Sequence, residues 1–174
     1  YEAAIQDNTK MLYIETLSNP VLKVCDIEAM AAIARKHNLL LVIDNTFTSP
    51  WGCQPIEMGC DLVIHSTTKY LGGHSDIVGG AVVGRKDLIA ELFPKKIHFG
   101  GSPDPHACYL LERGMRTLSA RMPIHCANAL EIAKRLESHP MITNVIHPSL
   151  PSHPDYETAK RTMPKGTGML AFVV

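Results

Sequence analysis

The sequence predicts an α/β fold with a mostly parallel sheet flanked by helices. Apolar runs of strand length alternate with a segment of helical periodicity, as strand–helix–strand units require. The clearest run, residues 39–43 (Leu-Leu-Leu-Val-Ile), is unbroken aliphatic, the pattern of a strand buried on both faces. Polar residues gather directly after these runs, where open sheets present their ligands.

Taken in order, residues 11–16 form the first expected strand, broken by the turn signal Asn19-Pro20. Asp26 is a good helix N-cap; Ile27, Met30, Ala31, Ile33 and Ala34 follow at helical spacing, and His37-Asn38 close the segment. The 39–43 strand ends in Asp44-Asn45-Thr46. A short irregular or helical crossover over 50–59 leads to a strand at 62–64, and 81–84 forms another. Residues 87–93 predict a short helix stopped before Pro94. Asp104-Pro105 pairs a capping side chain with proline at the first helical position. Residues 117–137 are helical, although Pro123 costs roughly 3 kcal/mol unless it falls in the first turn or at a kink. Pro148, Pro151, Pro154 and Pro164 then mark an irregular connection, and 169–174 is an apolar strand with no expected partner in the chain. That lone strand, the narrow sheet and the missing initiator methionine predict a piece of a longer protein.

Composition narrows the function. Of 174 residues, 45% are apolar and 20% charged, and 17 basic side chains balance 17 acidic ones. That balance gives no reason to expect nucleic acid or an anionic membrane as partner. The longest aliphatic run is far too short to span a bilayer, and the N-terminus lacks the pattern of a signal peptide. Five cysteines with no Cys-x-x-Cys pair read as reduced thiols of a cytoplasmic protein. The nine histidines are scattered and give no metal-ligand spacing. His65, His74 and His98 are expected to pack or to sit in loops.

The chemistry concentrates at residues 62–73, Leu-Val-Ile-His-Ser-Thr-Thr-Lys-Tyr-Leu-Gly-Gly. Lys69 follows a buried strand, and a partly desolvated amine there can attack an aldehyde. Ser66 and Thr68, alternating along an extended segment, can both donate to one phosphate. An aldehyde and a phosphate on one small molecule describe pyridoxal phosphate. Asp44 occupies the equivalent place after its own strand, where a carboxylate can face the pyridine nitrogen and keep the ring an electron sink. By themselves these residues also leave open a solvated loop for Lys69 and a turn or cap for Asp44. A nucleotide-binding α/β domain would want a glycine-rich loop after the first strand, and residues 15–20 contain no glycine.

Five motifs occur in order: Glu-Thr-Leu-Ser-Asn-Pro (15–20), Ile-Asp-Asn-Thr-Phe (43–47), His-Ser-Thr-Thr-Lys-Tyr-Leu-Gly-Gly-His-Ser-Asp (65–76), Arg-Gly-Met-Arg-Thr-Leu (113–118) and Leu-Pro-Ser-His-Pro (150–154). Together they resemble the Cys/Met-metabolism family of pyridoxal-phosphate enzymes, over nearly the whole chain. The resemblance implies the type I, aspartate-aminotransferase-like fold. Residues 1–116 would be the later part of the large cofactor-binding domain, 117–140 a linking helix, and 141–174 the start of a small C-terminal α+β domain. It implies that Lys69 forms the Schiff base and shuttles protons, that Asp44 pairs with the pyridinium nitrogen, and that Ser66 and Thr68 hold the phosphate. Asn19 would lie near the phenolic oxygen and the substrate carboxylate, with Glu15 supporting the site.

The implied reaction is elimination at the β or γ position, or γ-replacement, on sulfur amino acids or homoserine derivatives. Cystathionine γ-lyase and γ-synthase lead, with cystathionine β-lyase, methionine γ-lyase and homoserine-ester sulfhydrylase as alternatives; all belong to cysteine and methionine metabolism. A dimer-based homotetramer is implied for the full-length protein. Ser149 departs from the glycine usual in the family, and Pro123 is atypical of its helix. Relatives supply other parts of the site from segments outside these 174 residues, so the piece alone is expected to bind the cofactor weakly or not at all, or to be inactive.

Overall fold

Strands β1 (Met11–Glu15), β2 (Leu40–Asp44), β3 (Leu62–Ser66) and β4 (Gly80–Gly84) lie side by side in that order in the computed structural model, which describes residues 1–174. The first three are parallel. β4 returns antiparallel to β3, pairing Ser66 with Gly80. The link between them is a turn and a loop, with none of the crossover helix that a parallel return needs.

Helix α1 (Ile27–Lys36) connects β1 to β2. The Asp26 carboxylate accepts from the Ala29 N–H at 3.2 Å, as the capping pattern predicts, and Ile27, Met30, Ala31 and Ala34 are buried. Leu12, Ile14, Leu41, Ile43 and Val63 meet that face to form the main core. A short helix, α2 (Ser49–Gly52), and a 3-10 turn at Pro55–Met58 make the second crossover.

Two prolines lie inside helices: Pro94, which was expected to stop its helix and does not, and Pro123, within the helix expected over 117–137. Helix α3 (Lys86–Phe99) runs through Pro94, and α5 (Leu118–Glu137) runs through Pro123 beyond its first turn. Each proline removes one helical donor, whose acceptor would have been the carbonyl of Ala90 or of Ser119. Both residues are exposed, so water can serve those carbonyls at low cost. Between these helices, α4 (Pro105–Met115) begins where the Asp104 carboxylate accepts from the His106 and Ala107 N–H groups.

The C-terminal segment also departs from expectation. Strand β5 (Asn144–Ile146) pairs antiparallel with β6 (Ala171–Val173), so the terminal strand does have a partner within the chain. Between them, α6 (Tyr156–Thr162) forms in the proline-marked stretch expected to be irregular. Its Ala159, with Met163 just after it, completes the core of the main sheet. No helix is long and apolar enough to cross a membrane.

Two histidines, His65 on β3 and His147 after β5, are buried at 6% and 1% exposure. Burial disfavours the imidazolium and pulls both below the ordinary histidine range. As pH falls through that ordinary range the unfolded chain takes up protons that the folded chain resists, so stability is lost on the acid side and unaffected above it. The urea midpoint should therefore drop between pH 7.5 and 5.5. His147→Asn, which keeps an acceptor for the Ser149 N–H now bonded to Nδ1 at 3.1 Å, should drop less. Parallel pH profiles for the two proteins would rule out this source of acid lability.

Candidate functional site

Strand β3 delivers the chain to the sheet's carboxyl edge and then into a wide helical turn, Thr67–Leu71, that departs from helical dihedrals at Lys69. Backbone hydrogen bonds shape the turn. The Thr67 N–H donates to the Gly79 carbonyl at 2.9 Å, and the Gly73 N–H donates to the Lys69 carbonyl at 2.8 Å. Gly73 sits at φ +78°, a conformation that costs glycine nothing.

Lys69 opens into a cleft of about 610 Å³, lined also by Asn19, Phe47, Thr68, Arg121, His125 and Met169. Its ammonium has no carboxylate within ion-pair distance. The side chain is exposed, where the sequence led us to expect partial desolvation, because no element of this chain folds over it.

Asp44 ends β2. Its Oδ1 accepts from the Thr46 N–H at 3.0 Å and its Oδ2 from the Tyr13 hydroxyl at 3.3 Å. The register aligns Glu15, Asp44 and Ile64. Side-chain alternation therefore puts Asp44, Ser66 and Tyr13 on one face of the sheet. Thr46 joins two of them directly: its N–H binds Asp44, and its Oγ1 accepts from the Ser66 N–H at 2.8 Å. Burial, and next the nearby Asp44 charge, raise the Tyr13 phenol above its ordinary range.

The predicted residues thus fall into two groups. Lys69, Thr68 and Asn19 share the cleft; Asp44 and Ser66 share the sheet face through Thr46 and do not line that cleft. One detail is corrected. Ser66 ends the strand, but Thr68 lies inside the helical turn, so the two do not alternate along one extended segment. The Thr68 hydroxyl accepts from the Gly79 N–H at 3.0 Å and lies 3.4 Å from the Gly79 carbonyl.

Asn19 is held from two sides. Its N–H donates to Glu15 Oε2 at 3.2 Å, which gives Glu15 a supporting position. The loop it starts is bound by the C-terminal segment: His153 Nε2 meets the Leu22 carbonyl at 3.1 Å, and Asp155 Oδ2 accepts from the Val24 N–H at 3.0 Å. His153 Nδ1 accepts from the Asp155 N–H, so the neutral ring must donate through Nε2. His65 is buried and His74 bonds the Gly72 carbonyl at 2.8 Å, in line with packing and loop positions, whereas His98 lies exposed on α3, neither packed nor in a loop.

Sequence reasoning missed Tyr13, Thr46 and Arg121. Asp-x-Thr is a readable turn signal, because an aspartate side chain commonly accepts from the backbone N–H two residues on. Tyr13 carries no such signal, since its nearness to Asp44 depends on strand register.

A lysine on a turn at the carboxyl edge of a mostly parallel sheet, with a carboxylate ending the adjacent strand, places the chain among α/β folds that gather polar side chains at that edge. The model of the "Cys/Met metabolism PLP-dependent enzyme" family matches residues 1–174, and the chain belongs to that family. It is 47% identical to L-methionine gamma-lyase of Porphyromonas gingivalis over 176 residues, 99% of this chain and 44% of that protein. It is 45% identical to cystathionine gamma-lyase of Sus scrofa, over 99% of this chain and 43% of that protein. Among solved structures it superposes on cystathionine gamma-lyase from Lactobacillus plantarum complexed with L-serine, with a TM-score of 0.95 and 42% identity. That match covers 99% of this chain and 46% of the other. The chain spans about half the length of the curated relatives it matches.

Proposed function

We propose that this chain forms the central part of a pyridoxal-phosphate enzyme that catalyses β- or γ-elimination or γ-replacement on sulfur amino acids or homoserine derivatives. Within that range we favour the cystathionine γ-lyase or γ-synthase reaction. The observation that carries the reading is Lys69: an amine free of any ion pair, on a hydrogen-bonded turn, opening into a cleft that also contains Asn19 and Thr68.

The residues present fit the cofactor chemically. Asp44 offers a carboxylate on the sheet face, the Ser66 hydroxyl has no partner within the chain, and the longer Thr68 contact leaves that hydroxyl's proton free to turn to an anion. When bound, pyridoxal phosphate supplies an electron sink for the substrate's α-carbon. Lys69 would hold the cofactor's aldehyde carbon, then take the α-proton on Nζ and return it to a later carbon. Asp44, oriented by the Thr46 N–H and the Tyr13 hydroxyl, would hold a proton on the ring nitrogen. Ser66 and Thr68 would donate to the phosphate, and Asn19 would orient the phenolic oxygen and the substrate carboxylate.

The same reading takes 1–116 as the later part of a large domain, 117–140 as the linking helix and 141–174 as the start of a small domain. Separate four-stranded and two-stranded sheets support that division. A dimer-based homotetramer and a cytoplasmic location belong to the proposal, the latter supported by five free cysteines.

The test supplies the full-length protein with pyridoxal phosphate and, separately, cystathionine, methionine and a homoserine ester. Release of a 2-oxo acid and ammonia identifies elimination, and a new thioether in the presence of a thiol identifies replacement. A cofactor-loaded protein that turns over none of them would overturn the enzymatic reading and leave a structural subunit.

A further inference from the structure

We propose that Arg121 is a positioning residue for Lys69, holding the backbone of the lysine turn from the linking helix α5. This rests on the reading of Lys69 as the reacting amine. The Arg121 Nη2 donates to the Tyr70 carbonyl at 2.9 Å, so the guanidinium grips the backbone one residue beyond Lys69. The same nitrogen donates to the Gly114 carbonyl at 2.9 Å, at the end of α4. Nε donates to Thr117 Oγ1 at 3.1 Å, and that hydroxyl donates to the Gly114 carbonyl at 3.2 Å. One planar cation therefore joins three pieces of chain: the lysine turn, the end of α4 and the start of α5.

The far side of the turn is held as well. The guanidinium lies so close to Gly73 that a Cβ there would sit 2.5 Å from Cζ, and the Gly73 N–H donates to the Lys69 carbonyl. Arg121 thus touches the turn at two points after Lys69, the Tyr70 carbonyl and Gly73. One turn further along α5, the His125 ring packs on Tyr70 with centroids 5.6 Å apart.

The remaining nitrogen, Nη1, is buried without a partner, and burial lowers the proton affinity of the group. A side chain that only filled space would not bring an unpaired donor out of water. The guanidinium's contribution is the rigid fork, which a lysine ammonium cannot reproduce. A turn fixed at Tyr70 and Gly73 limits where the four-carbon stem of Lys69 can carry Nζ. Positioning of this kind enters the rate directly, since a small misplacement of a reacting group can cost about a hundredfold.

The experiment uses the full-length protein and Arg121→Lys, which keeps charge and stem but loses the fork. Stopped-flow absorbance follows attachment of pyridoxal phosphate to Lys69, with borohydride trapping to fix the yield. For Arg121→Lys we expect attachment and kcat to fall about ten- to a hundredfold, with KM within twofold and an unchanged circular dichroism spectrum. Added guanidinium at millimolar concentration should restore part of the attachment rate of Arg121→Ala. Wild-type rates in a folded Arg121→Lys protein would overturn the inference, as would a loss confined to KM. Should Arg121→Ala fail to fold, Arg121→Lys alone decides. If the wild-type protein itself attaches no cofactor at Lys69, it is the functional reading that has failed; if only the Arg121 effect is absent, the positioning role fails alone.

Discussion

Lys69→Ala should abolish covalent attachment of pyridoxal phosphate while leaving the fold as stable as before. The two effects separate because Lys69 makes no ion pair and is exposed, so its removal leaves no buried charge unpaired and opens no core cavity. Substitutions at such positions usually change stability by no more than about 0.5 kcal/mol. Activity, by contrast, loses both the covalent bond and the proton carrier. General acid–base transfer alone is worth roughly 10²–10⁴-fold, and loss of the nucleophile adds to that. The measurement is the visible absorbance of the full-length protein before and after borohydride, followed by peptide mass mapping. In the wild type the reduced label should map to Lys69; in the variant the cofactor should remain exchangeable. A label on Lys23 or Lys165 in the wild type would move the active amine elsewhere.

The second large effect is on stability, at Gly114. A Cβ added there would lie 2.1 Å from the Gly72 carbonyl oxygen, 2.9 Å from its carbon and 3.0 Å from the Leu71 oxygen. All three are backbone atoms of the lysine turn, so none can swing aside as a flexible side chain would. Alanine is the better helix former by about 1 kcal/mol, which works in favour of Gly114→Ala within α4. The clash outweighs that gain: we expect a net loss of about 3 kcal/mol, at the upper end for overpacking. For a chain of this size that lowers the melting temperature by about 10 °C. Cofactor attachment should slow as well, because α4 can make room only by pushing on Leu71–Gly73. Gly101→Ala, with nothing within 4 Å of the added carbon, is the control and should be neutral. Equal melting temperatures for the two variants would mean that α4 and the turn can separate freely.

The contrast between these sites and the local elements explains what the chain declares in one dimension. The caps at Asp26 and Asp104 were legible because a capping side chain bonds a backbone N–H two or three residues away. The 39–43 strand was legible because burial on both faces demands unbroken aliphatics. Lys69, Asp44, Ser66 and Thr68 could be picked out because each lies at or just after the end of a strand, whereas Asn19 was implied only by the family resemblance. The 117–137 helix was legible despite Pro123, but the continuation of α3 through Pro94 was not, since its tolerance depends on which carbonyl loses a donor and whether water reaches it. The short β5 and α6 were hidden because three and seven residues give too little periodicity to stand out among prolines.

By itself, then, the sequence determined the α/β class, the positions of the main strands along the chain, and the chemical inventory at their carboxyl ends. Those features depend on neighbours a few residues apart, and local spacing encodes them. Tertiary structure alone decided the antiparallel return of β4, the pairing of β5 with β6 and the Tyr13–Asp44 contact across 31 residues. It also decided the hold of Arg121 on the Tyr70 carbonyl across 51 residues and of Asp155 on the Val24 N–H across 131. A hydrogen bond between distant segments forms only after packing has brought both partners out of water together, and no local pattern of residue types records which two will meet.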